Sequence, residues 1–174
     1  MMNKNKHNSK ASFQELPGRL IAPLPLFPIQ PLLKRIVTHV SENRPELFAR
    51  LGPHKTSCFL INPTNLPFVM VLCPDPEKPS LKAYRHPDEV HHDASISGSF
   101  LTLLNMVDGQ LDGDALFFTR DLVVEGNVEA VVTLRNALDD LEGSIVDDIA
   151  QSCGPFSKPI QKIFGILRRV RGNY

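Results

Sequence analysis

Short β-prone runs broken by proline fill the middle of this chain, and the apolar period changes directly after them. Thr56–Ile61 ends at Asn62-Pro63, Pro67–Cys73 ends at Pro74-Asp75-Pro76, and Leu81–Tyr84 ends at Arg85-His86-Pro87-Asp88. His91–Ser97 then alternates, with His92, Ala94 and Ile96 on one side and His91, Asp93, Ser95 and Ser97 on the other. Proline has no N–H to give to a ladder, so each punctuation closes a strand. Strands this short and this closely spaced predict an antiparallel meander. From Ser99 the period is helical. Ser99 can cap a helix whose stripe is Phe100, Leu103, Leu104 and Val107, stopped by Asp108-Gly109. Thr119–Glu125 reads as a last strand, and Asn127 caps a helix with Val128, Val131, Leu134, Leu138 and Leu141 on one face. Strands grouped with helices in 174 residues predict one α/β domain of the α+β kind, with a mostly antiparallel five-stranded sheet packed against helices.

The flanks differ in character. Residues 1–20 begin with a Lys-, Asn- and Ser-rich run and are expected to be a disordered tail. Residues 21–30 interleave prolines with Leu24, Leu26, Phe27 and Ile29, an extended segment too apolar to be a free linker. A helix is predicted from Pro31, since proline suits the first helical position, with Leu32, Leu33, Ile36, Val37 and Val40 buried. A short helical turn follows over Glu46–Leu51, and another is expected over Ile145–Ile149. The domain is placed at residues 31–150, and residues 155–174 carry a basic amphipathic helix from about Pro159 to Val170.

Lysine plus arginine (19) balances aspartate plus glutamate (19), so no global field draws the chain to nucleic acid. The charge is uneven: residues 125–148 hold seven acids and one base, Arg135, whereas residues 155–174 hold five bases and no acidic side chain. Cys58, Cys73 and Cys153 are odd in number and unrelated in spacing, which reads as reduced thiols in a cytosolic protein. No secretory signal and no apolar run of membrane-spanning length is visible, so a cytoplasmic protein is expected.

No phosphate loop, nucleophile elbow or zinc-protease motif occurs. Ser97-Gly98-Ser99 is better explained by the helix cap than by a nucleophile. His86, Asp88, His91, His92 and Asp93 could ligate a metal, but adjacent His91 and His92 on a strand would point to opposite faces. The carboxylate pairs Asp112/Asp114, Asp139/Asp140 and Asp147/Asp148 fall in turns or on a charged helix face. The residues therefore predict no catalytic site, no metal and no cofactor.

The stretch Leu111-Asp112-Gly113-Asp114-Ala115-Leu116-Phe117-Phe118-Thr119-Arg120-Asp121-Leu122-Val123-Val124-Glu125-Gly126-Asn127 runs from an acidic turn through a compact apolar segment into a strand and then a helix. With Ala94–Phe100 and Leu103-Leu104, it resembles the second half of the SCP2 (sterol carrier protein 2) sterol-binding domain, over roughly residues 30–142. Within that superfamily, Phe118–Leu122 followed by Glu125–Val131 is similar to the bacterial ubiquinone-biosynthesis accessory factor family UbiT. The tails at both ends depart from a minimal SCP2 domain.

The resemblance implies an SCP2-like fold around an apolar cavity and a lipid carrier that does no chemistry. It implies a prenylated quinone intermediate or other lipid as ligand. It also implies a place in oxygen-independent ubiquinone synthesis beside proteins of the UbiU and UbiV type. Leu103, Leu104, Val107, Leu116, Phe117, Leu134 and Leu138 are the expected cavity residues, from helix faces and the family layout. A polyprenyl tail of about forty carbons would cost on the order of 30 kcal/mol to expose to water, so it leaves a bilayer only when shielded. Lys158, Lys162, Phe164, Arg168 and Arg169 on the basic terminal helix are the expected contacts with the inner membrane surface. The rival expectations are a ligand-free scaffold recruiting basic partners through residues 125–148, and a lipid-modifying enzyme built on the histidine cluster.

Overall fold

The computed structural model describes residues 25–107, 122–141, 145 and 149–150. Helix α1 spans Ile29–Asn43 and α2 spans Pro45–Arg50, with a 3-10 turn over Gly52–Thr56. Strands β1 (Phe59–Pro63), β2 (Val69–Cys73) and β3 (Ser80–Tyr84) follow. Then come β4 (Ala94–Gly98), α3 (Phe100–Val107), β5 (Leu122–Gly126) and α4 (Val128–Asp139).

The five strands form one sheet in the order β3-β2-β1-β4-β5. β1, β2 and β3 make the expected meander, and β4 with β5 is also antiparallel. The join between these units departs from the expectation, because β4 returns alongside β1 in parallel, from Phe59 opposite Ala94 to Pro63 opposite Gly98. Asp93 makes that join. Its side chain accepts the Cys58 N–H at 2.7 Å and its own N–H donates to the Cys58 carbonyl at 2.9 Å. Its carbonyl accepts the Asn127 N–H at 2.9 Å. One short residue thus ties β1 to β4 and to the start of α4.

Side-chain alternation gives the sheet two unlike faces. Phe59, Ile61, Ala94, Ile96, Leu122 and Val124 face the helices and share the main core with α2, α3 and α4. Leu60, Val69 and Val71 form a second cluster on the opposite face, flanked by Cys58, Cys73, Tyr84 and Val90. The β1–β2 register sets Cys58 beside Cys73, and the two form a disulfide with Cα atoms 4.3 Å apart. This corrects the reading of both as free thiols: spacing of 15 residues says nothing until the hairpin register puts them opposite each other.

Local chemistry explains the boundaries. α1 begins two residues ahead of Pro31, which still sits in the first turn, where N–H groups have no helical partner. Ser99 Oγ accepts the Thr102 N–H at 3.1 Å, and Asn127 Oδ1 accepts the Ala130 N–H at 3.0 Å, as expected of helix caps. The free edge of β3 is covered by α1. Gln30 Nε2 donates to the Ala83 carbonyl at 2.6 Å, and the Ala83 N–H donates to Gln30 Oε1 at 3.2 Å. That amide supplies both hydrogen bonds a further strand would have made at Ala83.

Candidate binding cavity

A void of about 160 Å³ lies between the helices and the inner sheet face. α1 contributes Ile36, Val37 and Val40, and α2 contributes Leu47 and Phe48, with Leu51 just after it. The sheet supplies Ile61, Leu72, Leu81 and Ile96, one from each of β1 to β4, and Pro74. Leu103, Met106 and Val107 enter from α3, Leu134 and Leu138 from α4, and Ile145 and Ile149 from the segment beyond. Every lining side chain is apolar. A void of ~150 Å³ with such walls stays dry and accepts a molecule the size of benzene. The walls offer no hydrogen bond, so any selection they make is by shape and apolarity.

Of the expected cavity residues, Leu103, Val107, Leu134 and Leu138 line this void. Leu104 is half-buried and is not among the lining residues. Leu116 and Phe117 lie outside the described residues, as do Lys158, Lys162, Phe164, Arg168 and Arg169. The α3 stripe is rotated from the expected one: Leu103 and Met106 are buried, whereas Phe100 is 36% exposed. Phe100 opens the helix, and its N–H is held by Asn65 Oδ1 at 2.8 Å. Met106 and the lining residues of α1, α2 and the sheet were not singled out as cavity residues. The available signal was the buried α1 stripe containing Ile36, Val37 and Val40.

Of the polar candidates, His86, His92 and Asp93 contact backbone groups, and Asp112, Asp114, Asp147 and Asp148 lie outside the described residues. His91, His92 and Asp93 precede β4 rather than lying on it. His91 is exposed, and His92 Nδ1 is 3.1 Å from the Val90 carbonyl. Glu89 Oε1 accepts the His86 N–H at 3.0 Å in a capping box over Pro87–Glu89. Among the described residues, no group of three or more His, Cys, Asp or Glu could hold a metal. Within the acidic segment, Asp139 pairs with Arg135 at 3.1 Å and Asp140 pairs with Arg50 of α2. No helix among the described residues is long and apolar enough to cross a membrane.

A mostly antiparallel sheet with helices packed over an apolar void defines an α+β domain with a hydrophobic chamber as its candidate site. A model of the SCP-2 sterol transfer family matches residues 33–139, and the chain belongs to that family. A search of curated proteins gave no match. Among solved structures, the fold is similar to a UbiJ-SCP2 ubiquinone synthesis protein, at TM-score 0.48 and 16% identity over 67% of this chain and 90% of that one. It is also similar to apo sterol carrier protein 2 from Yarrowia lipolytica, at TM-score 0.45 and 15% identity over 63% and 86%. A sterol carrier protein domain 2 from Helicoverpa armigera gives TM-score 0.43 and 14% identity over 68% and 91%.

Proposed function

We propose that this chain is a non-catalytic lipid-binding accessory protein that holds a polyprenyl quinone precursor or another apolar lipid for ubiquinone biosynthesis by the oxygen-independent route. The wholly apolar chamber carries the reading, because polar walls would have to be desolvated without hydrogen-bonding to such a ligand. Membership of the SCP-2 sterol transfer family supports the lipid class. The likeness of Phe118–Leu122 and Glu125–Val131 to the UbiT family supports the pathway and partners of the UbiU and UbiV type.

The volume sets a condition. About 160 Å³ admits one ring or a short branched alkyl group, not a forty-carbon tail, so a long ligand requires the chamber to widen. The same small volume favours a second reading, a ligand-free scaffold that recruits basic partners through its acidic segment.

Native mass spectrometry of the purified protein, followed by solvent extraction and lipid identification, separates the two. A stoichiometric polyprenyl quinone precursor is expected. A phospholipid in its place keeps the carrier and removes the pathway. No lipid, with none taken up from liposomes, leaves the scaffold. Five bases and no acidic side chain in residues 155–174 suit the surface of an anionic bilayer, where the protein would collect its ligand.

A further inference from the structure

We infer that a ligand reaches the chamber through the seam between α1 and β3, with Val37 and Leu81 as the gate and Gln30 as the latch. The inference rests on the carrier reading above. Outside the seam lies a groove of about 650 Å³, bordered by Lys34 of α1 and by Lys78, Lys82 and Tyr84 around β3. Val37 and Leu81 line this groove and the chamber alike. The two voids are therefore divided by two apolar side chains from two different elements. β3 is the edge strand, so parting it from α1 breaks no strand ladder. The Gln30 amide and the Ala83 backbone hydrogen-bond across the seam, at 2.6 and 3.2 Å.

The volumes favour this route. The chamber alone, at about 160 Å³, falls short of the roughly 300–1,000 Å³ of typical ligand sites. Joined to the groove through a parted gate, it enters that range. The ligand class follows from the composition of the two spaces: a long-chain amphiphile, its apolar part in the chamber and its polar end beside Lys34, Lys78 and Lys82. Those three lysines are exposed, so a polar end there keeps its water. Gln30 acts on uptake by holding α1 against β3, not by touching the buried part of the ligand.

Stopped-flow uptake and release of cis-parinaric acid, a linear apolar fluorophore with one carboxylate, tests this on the full chain. Gln30→Ala is expected to speed uptake and release together by about tenfold, equivalent to ~1.4 kcal/mol, with Kd nearly unchanged. Lys34→Trp, at an exposed position bordering the groove, is expected to slow both by plugging the groove, and to weaken binding because it also removes one cation from beside the polar end. Should Gln30→Ala fold poorly, Lys34→Trp decides alone. Wild-type rates in both variants would overturn the route while leaving the carrier reading standing. No uptake of the probe by the wild-type protein would overturn the carrier reading and the gate with it.

Discussion

Gly126→Ala should be far more damaging than Gly52→Ala, although both glycines have positive φ, at +77° and +53°. A Cβ at Gly52 meets nothing within 4 Å, so the change costs only the left-handed backbone penalty, ~1–2 kcal/mol. A Cβ at Gly126 would collide with the Asp93 carbonyl oxygen and sit 3.1 Å from Ala94 Cα, both backbone atoms that cannot swing aside. Relieving the clash moves the Asp93 carbonyl, which accepts the Asn127 N–H at 2.9 Å and sits where β4 meets β5. Losing that bond at a half-closed junction adds ~1–3 kcal/mol to the backbone penalty. The total is about 4 kcal/mol, or a melting temperature lower by roughly 8–16 °C at this chain length. Urea unfolding of the two variants, with m compared, reads the difference directly. Equal losses within ~0.5 kcal/mol would refute the reasoning, because the shared backbone penalty would then account for everything. The damage should extend to the chamber, since α4, which brings Leu134 and Leu138 to it, begins two residues after Gly126.

Leu134→Ala, deepening a void that already exists, should cost about 3 kcal/mol in urea unfolding, and a loss under ~1 kcal/mol would mean that the walls collapse. Reduction of the Cys58–Cys73 disulfide, or Cys73→Ser, should lower stability by about 3 kcal/mol for a loop of 15 residues, and coincident unfolding curves with and without reductant would contradict this. Changing Lys162, Arg168 and Arg169 to Glu should weaken sedimentation with anionic liposomes and leave neutral liposomes unaffected, and unchanged binding would remove the membrane contact from the account.

Much of this architecture is legible in the sequence because its signals are local. Ser99 and Asn127 announce their helices by side-chain chemistry, and Pro63, the last residue of β1, and Pro74, directly after β2, mark where those strands end. The parallel pairing of β4 with β1 is not local. A strand returning beside the first of a meander has the same composition as one added at its edge, and Asp93 declares its role only through partners 35 and 34 residues away. The disulfide was hidden for the same reason. The cavity was legible only in part, because a lining residue differs from a packed one by what stands opposite it. Leu103, Val107, Leu134 and Leu138 could be named from their helix faces. Phe48, Ile61 and Leu72 carry no mark that separates a cavity wall from core, and a shift along α3 of one residue from Leu104 to Leu103, or of two to Met106, decides which side chain reaches the void.

The central claim is that the apolar chamber is where a lipid sits. Bound-lipid stoichiometry by native mass spectrometry, compared between the wild-type protein and Leu103→Trp with matched melting temperatures, tests it most directly. An indole in a void of about 160 Å³ leaves little room for a ligand, so the account predicts a lipid-bound wild type and a largely lipid-free variant. Equal lipid occupancy in both would place the ligand elsewhere on the molecule and contradict the account.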